Sequence, residues 1–172
     1  IRNLPVLKPL SKLQSEKKFI LYQGAVNEAR GWEFLIPAMK MINYKLVICG
    51  NGNFMVQLKE LISQHEVGDK IELKGMLPPD ELFTFAQTAS IDVSFPEKHG
   101  LNQYLALPNK FFDYMHAGLP QVTVNYPEYR KINEEFNVAV LVNDISSETI
   151  AASVNNLLQN DVLLMKLKDN CI

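Results

Sequence analysis

Leu46-Val47-Ile48-Cys49-Gly50-Asn51-Gly52 runs directly into Asn53-Phe54-Met55-Val56-Gln57-Leu58-Lys59-Glu60-Leu61-Ile62. The first four residues are an unbroken apolar run of strand length, closed by two glycines. Phe54, Val56, Leu58, Leu61 and Ile62 then read as a helix. A buried strand, a tight turn and a helix in that order form the basic unit of an α/β fold.

The same unit repeats on either side. Upstream, Phe19-Ile20-Leu21-Tyr22 ends at Gly24, and Trp32, Leu35, Ile36, Met39 and Met41 recur at helical spacing. Downstream, Ile71-Glu72-Leu73 is a short strand ended by Gly75. Pro78-Pro79-Asp80-Glu81 opens a helix with proline and acids in its first turn, as helix starts prefer. Ile91-Asp92-Val93-Ser94-Phe95, Gln121-Val122-Thr123-Val124 and Val138-Ala139-Val140-Leu141 are three further strands. Ser146-Ser147-Glu148-Thr149 opens a helix running to about Leu158, and residues 161–172 read as another.

Short apolar strands alternating with helices predict an α/β, Rossmann-like, doubly wound and mainly parallel six-stranded sheet, covered on both faces. Ligands of such sheets bind beyond the carboxyl ends of the strands, where the strand order reverses. The loops at residues 24–31, 50–53, 75–77, 96–110 and 125–129 are therefore where a site is expected. Residues 1–18, with two prolines and scattered lysines, read as a linker or domain edge, and 19–172 as the domain proper. Both ends read as cut, so a piece of a longer polypeptide is expected.

The 172 residues carry a formal net charge of -2 with no lysine or arginine block, which argues against nucleic acid as a partner. The two cysteines, Cys49 and Cys171, form neither a disulfide framework nor a CxxC metal site. Cys49 lies in an apolar run and reads as a small core residue. No apolar run is long enough to span a bilayer and no signal peptide is visible, so a cytoplasmic setting is expected.

The second organising stretch is Leu107-Pro108-Asn109-Lys110-Phe111-Phe112-Asp113-Tyr114-Met115-His116-Ala117-Gly118-Leu119-Pro120. It predicts a short helix with Asn109 as its N-cap and Gly118 and Pro120 as its stop. Phe111, Phe112 and Met115 would face the core, with Lys110 and Asp113 on the other side. A lysine at the positive end of a helix dipole is misplaced unless an anion binds there, and the free amides of a helix start suit phosphate. Asp113, one turn in, could accept from both hydroxyls of a ribose, or simply pair with Lys110. Arg30, before Gly31 at a helix start, could clamp a diphosphate, or be a solvated loop arginine. Glu97, in the long loop after the fourth strand, could approach the same crevice.

Gly50-x-Gly52 allows close backbone approach to a phosphate or sugar, although a tight turn alone also explains it. It lacks the third glycine of the dinucleotide fingerprint, and no acid closes the second strand, which argues against a nicotinamide cofactor. His65, His99 and His116 show no metal-ligand spacing. No nucleophile elbow or P-loop is present.

Taken in order, Tyr22-Gln23-Gly24, Ala29-Arg30-Gly31-x-Glu33, Cys49-Gly50-Asn51-Gly52, Leu73-Lys74-Gly75-Met76-Leu77-Pro78 and Leu107 to Met115 resemble family 4 glycosyltransferases of the GT-B fold. The match is to their C-terminal, nucleotide-sugar-binding lobe. The resemblance implies a lobe that binds a nucleotide-diphospho sugar and transfers the sugar with retention of configuration, without a bound metal or other cofactor. A saccharide or lipid-linked acceptor would be held by an N-terminal lobe absent from this chain. Cytoplasmic placement at the inner face of a membrane, with peripheral association, fits the same habit, and the lobe alone is expected to transfer nothing.

Carried over residue by residue, the resemblance puts Asp113 where the family holds the ribose and Arg30 where a basic side chain meets the diphosphate. Gly24, Gly50, Asn51, Gly52 and Asn109 would border the donor, and Met76 and Leu77 the base. Glu97 sits in a loop partly like the one that carries the family's other acid, and is the candidate catalytic residue. Two positions depart from the pattern. Ala25 stands where many members have a second basic residue, a charge Lys110 could supply. Leu105 stands eight positions before Asp113, where members often have a glutamate. These departures keep two alternatives open, a non-catalytic nucleotide- or sugar-binding module and a nucleotide-sugar epimerase of the same fold.

Overall fold

The computed structural model describes residues 18–98, 100–105 and 109–171, apart from the side chains of Asn102 and Gln103. The expected strands are all present: β1 (Phe19–Gln23), β2 (Lys45–Cys49), β3 (Ile71–Gly75), β4 (Ile91–Ser94), β5 (Gln121–Val124) and β6 (Ala139–Val142). Every pairing is parallel, and the order across the sheet is β3-β2-β1-β4-β5-β6. The chain starts in the middle, winds outward to β3, then returns past β1 to build the other half. The order therefore reverses between β1 and β4, and it is beyond the carboxyl ends of such strands that folds of this kind bind ligands.

The intervening helices are α1 (Trp32–Ala38), α2 (Met55–Gln64), α3 (Pro79–Ala86), α4 (Gly100–Leu105), α5 (Asn109–His116), α6 (Pro127–Phe136), α7 (Ser147–Gln159) and α8 (Asp161–Asn170). Side chains alternate across the strands and so divide the core in two. Ile20 and Tyr22 of β1, Leu46 and Ile48 of β2, and Ile91 and Val93 of β4 join a large cluster with α1, α2, α6, α7 and α8. Leu21, Val47 and Cys49 face the other way, against Ala86 of α3 and Tyr114, Ala117 and Leu119 at α5. Cys49 is a core residue, as its apolar neighbours imply, and its burial raises the thiol pKa to about 11.

The structure departs from the sequence reading at three places. Residues 100–105, expected to lie within a loop, form α4. Residues 127–136, for which no element was expected, form α6, which starts at Pro127 and stops at Asn137 with a left-handed φ of 49°. β3 continues past Leu73 to Gly75 through an irregularity, where Ile48↔Leu73 is followed by Cys49↔Gly75. Asn109 lies within α5 as described, and residues 106–108, which precede it, lie outside the described residues. Residues 1–17, His99, Leu107 and Pro108, all drawn into the sequence reading, lie outside the described residues.

The remaining helix starts follow local chemistry. Ser146 Oγ accepts from the Thr149 amide at 3.3 Å to begin α7, and Asn160 Oδ1 accepts from the Leu163 amide at 3.0 Å to begin α8. No helix among the described residues is long and apolar enough to cross a membrane.

Candidate functional site

Three loops meet where the strand order reverses, and backbone contacts lock the first two together. The Gly24 amide donates to the Cys49 carbonyl (2.9 Å), Val26 to Asn51 (3.0 Å) and Phe54 to Val26 (2.9 Å). A side chain on Gly50 would overlap the Gly24 carbonyl, and one on Gly52 would overlap that of Val26. These glycines are thus required by the packing of the β2–α2 turn under the β1–α1 loop. Gly24 itself is exposed, with open space where a side chain would stand. Asn51 Oδ1 accepts from the Gly52 amide (2.8 Å), which tightens the same turn.

The β4–α4 loop is pinned to the first loop through Glu97. Its amide donates to the Ala29 carbonyl (3.1 Å), and its carboxylate oxygen Oε1 accepts from the Gly31 amide (3.3 Å). Gly31 opens α1 with φ of 75°, and a Cβ there would lie 2.5 Å from the Phe95 carbonyl oxygen. Only glycine meets both demands. α1 has no side-chain cap of its own, so Glu97 satisfies a free amide at its start from across the strand reversal. Behind it, the Tyr126 hydroxyl donates to the Pro96 carbonyl (2.8 Å). Tyr104 of α4 packs edge-on against Tyr126 at 5.1 Å, with the Lys98 ammonium 4.1 Å from the Tyr104 ring centroid.

α5 brings the charged groups. Tyr114 is fully buried, and its hydroxyl donates to the Gln23 carbonyl and accepts from the Gln23 amide, both at 3.2 Å. This holds the helix against the end of β1. One turn earlier on the same side stands Lys110. The sequence reading put it on an outer face, but it is half-buried, with its ammonium 4.8 Å from the Tyr22 ring centroid. The helix turns its Lys110–Tyr114 side towards the sheet, because Tyr114 fills the space over β1.

Burial lowers the Lys110 pKa to about 8. Asp92 pulls it back up, and Arg30 pushes it further down. Arg30 is half-buried at the end of the β1–α1 loop, and its charge also reaches the hydroxyls of Tyr22 and Tyr129. The two cations, eighty residues apart in sequence, therefore share one neighbourhood.

The sequence reading missed Asp92 as anything but part of a strand. It pairs in register with Leu21 across the β1–β4 junction, is wholly inaccessible, and neither carboxylate oxygen has a hydrogen-bond partner among the described residues. Burial raises its pKa well above the usual carboxylate range, against the pull of Lys110. The Tyr114 hydroxyl and the Val93 backbone lie near enough to favour its charged form, though neither makes a full hydrogen bond to it.

The other candidates divide. Asp113 is half-buried on α5, one turn into the helix, and Asn109 is exposed at its start. Met76 projects into solvent with 77% of its surface exposed, whereas Leu77 packs with Leu82, Phe83 and Phe85 against the smaller core cluster. Among the described residues no cluster of three or more His, Cys, Asp or Glu side chains could hold a metal ion.

Comparison with known proteins agrees with this architecture. An uncharacterized glycosyltransferase of Methanocaldococcus jannaschii is 34% identical over 85 residues, covering 47% of this chain and 22% of that protein. A mutant of TarM from S. aureus, solved with fondaparinux, alpha-GlcNAc-glycerol and UDP, superposes with a TM-score of 0.75 at 17% identity, covering 99% of this chain and 34% of that one. The C-terminal domain of LpcC, a glycosyl transferase group 1 family protein from Francisella tularensis, superposes with a TM-score of 0.70 at 17% identity, covering 93% and 84%. The chain thus spans about a fifth of the length of the first of these relatives and about a third of the second. The family profile described as glycosyl transferases group 1 matches residues 7–172, and the chain belongs to that family.

Proposed function

We propose that the chain is the donor-binding lobe of a retaining glycosyltransferase, gripping a nucleotide-diphospho sugar in the crevice between β1 and β4. The observation that carries this reading is the convergence of Arg30 and Lys110 on one neighbourhood beside the Tyr22 ring, at the strand reversal. Two cations that disfavour each other when the crevice is empty favour an anion between them. A diphosphate carries enough charge to suit both.

In this reading Arg30 and Lys110 meet the diphosphate and Asp113 accepts from the ribose hydroxyls. Gly24 lets the donor approach the β1–α1 loop, and Met76 lies beside the base. During transfer the bond from the sugar's anomeric carbon to the diphosphate oxygen breaks, and a bond to the acceptor oxygen forms as that oxygen loses its proton. The negative charge left on the departing nucleoside diphosphate falls to Arg30 and Lys110, which is where electrostatic stabilisation counts most. A saccharide or lipid-linked acceptor would be held by an N-terminal lobe, and this lobe alone would bind donor without transferring it.

A second reading, a nucleotide- or sugar-binding module without transfer chemistry, is favoured by one observation. Leu105 stands exposed at the position of the family's other acid, and the Glu97 carboxylate is engaged with the Gly31 amide.

The test is calorimetry of the full polypeptide with uridine, guanosine and adenosine diphosphates, each against its nucleoside, followed by a turnover assay with their sugars and candidate acceptors. Arg30→Ala should weaken the diphosphate by about one to two decades and leave the nucleoside nearly unchanged. Asp113→Asn should weaken both by about a decade, because both carry the ribose. Equal loss for both ligands in Arg30→Ala would remove the diphosphate assignment. Donor binding without any transfer would favour the module.

A further inference from the structure

The two faces of the sheet are not sealed alike at the amino ends of the strands. On one face Ile20 of β1 and Leu46 of β2 are wholly buried in the larger core cluster. On the other, where α3 packs, a cavity of about 570 Å³ stands against Phe19, Lys45 and Val47. The strand register makes this floor. Phe19 pairs with Lys45 and Val47 with Glu72, so these side chains leave the sheet on the face of Leu21 and Cys49.

The walls are aromatic. The Phe19 and Phe85 rings meet at 5.6 Å between centroids with their planes tilted by 37°, yet both side chains stay half-buried. The Lys74 ammonium lies 4.7 Å from the Phe85 ring centroid and backs that wall. Tyr44, in the turn before β2, adds a third half-buried ring. A cavity of this volume, walled by rings over an aliphatic floor, has the size and character of a small-molecule pocket.

The cations around it are not equivalent. Lys18 donates to the Leu158 carbonyl (2.6 Å) and to Asp161 Oδ1 (2.5 Å), so its charge is already matched. Lys74 pairs with Glu72 at 3.6 Å. Lys45 is exposed and makes no hydrogen bond or ion pair through its side chain among the described residues. One cation therefore remains for an occupant. Residues 1–17, which lead into Lys18, carry Arg2, Lys8, Lys12 and Lys17 against the single acid Glu16, so their charge does not complement it.

We propose that this cavity is a second ligand site, taking a small monoanion with a flat aromatic body. The ring lies against Phe19, Val47 and Phe85, and the anionic group meets Lys45. The site is separate from the donor loops. Phe19 and Lys45 stand at the amino ends of their strands, four residues and roughly 13 Å from Gln23 and Cys49 at the carboxyl ends. Occupant and donor should therefore bind without displacing each other.

The test uses two probes on the full polypeptide. 1-Anilinonaphthalene-8-sulfonate has an aromatic body and one sulfonate, and N-phenyl-1-naphthylamine has the same body without it. Both are titrated by fluorescence, with and without uridine, guanosine and adenosine diphosphates. The sulfonate should bind saturably with a Kd on the order of 10–100 µM, undisplaced by any of the three diphosphates. Lys45→Glu should weaken the sulfonate about tenfold and leave the naphthylamine within about twofold. Glu72→Gln, which removes a competing carboxylate, should tighten the sulfonate by about two- to threefold. Both side chains are exposed, so both variants should melt near wild type. Intermolecular NOEs from the bound sulfonate probe should reach the Phe85 ring and the Val47 methyls.

Absence of saturable binding, the result expected if residues 1–17 fill the cavity, overturns the proposal. Equal losses for both probes in Lys45→Glu, weaker sulfonate binding in Glu72→Gln, displacement by a nucleoside diphosphate, or NOEs confined to other residues would each overturn it too.

Discussion

The ammonium of Lys110, on the first turn of α5, lies 4.8 Å from the centroid of the Tyr22 ring at the end of β1. The contact ties the helix after β4 to the strand at the centre of the sheet. It puts a cation beside the strand reversal, where its pKa is lowered to about 8 by burial, raised by Asp92 and lowered again by Arg30.

A pH dependence of binding follows. Free Lys110 loses its proton as pH rises through about 8, while a bound diphosphate favours the charged form. Affinity for a nucleoside diphosphate should therefore hold level from pH 6 to 7 and decline above pH 8, with proton uptake on binding. Calorimetry at pH 8.5 in two buffers of different ionisation enthalpy measures that uptake. Lys110→Met should abolish it, along with the alkaline decline.

The same shift has a consequence for stability. A lysine whose folded pKa is depressed contributes stability above its unfolded value, near 10.4, and that contribution is lost as pH falls through about 8. At neutral pH the half-buried ammonium therefore opposes folding. Lys110→Met should raise the melting temperature at pH 7, by an amount that shrinks towards pH 10. A scan of Tm against pH for both proteins reads the difference directly, and a lower Tm for the variant at pH 7 would refute it.

Gly31→Ala should destabilise by about 1–3 kcal/mol, since the residue combines φ of 75° with the Phe95 carbonyl 2.5 Å from the new Cβ. Gly50→Ala should cost at least as much, because the obstacle is the Gly24 backbone. Gly68→Ala is the control. Its Cβ would meet only the Ile62 Cγ2 methyl at 3.8 Å, and a change within about 1 kcal/mol is expected. Urea denaturation of the three variants ranks them.

Glu97→Ala should cost about 1 kcal/mol, because it removes the acceptor for the Gly31 amide, whereas Glu97→Gln keeps an acceptor and should stay near wild type in stability. Transfer assays on Glu97→Gln then separate two roles. Full activity makes Glu97 a staple between the loops. Loss of turnover at unchanged donor affinity makes its charge part of the chemistry.

The strands were legible because their apolar runs are continuous and end at Gly24, Gly50 and Gly75, so the fold class follows from local pattern. α6 was not, because Tyr129 and Ile132 are its only fully buried residues on an otherwise polar helix. Arg30 and Asp113 were candidates by their place near helix starts, and the structure leaves both half-buried there. Lys110 was put on the wrong side, since helical spacing shows which residues share a face but not which face meets the sheet. Asp92 was invisible as a charged partner. Its total burial comes from packing across the β1–β4 junction, which local pattern does not show.

The interlock of Gly24 with Gly50 makes the crevice a vice with one fixed jaw. Residues 50–54 press so closely under residues 24–26 that neither Gly50 nor Gly52 has room for a side chain without the β1–α1 loop yielding. The opposite jaw, at residues 96–98 and Tyr104, is held in part by ring and side-chain contacts among Lys98, Tyr104 and Tyr126, which other residues could replace. Under the donor-binding reading, substitutions in that second jaw should alter ligand choice at little cost to the fold, whereas a library aimed at Gly50 and Gly52 should return mostly misfolded protein.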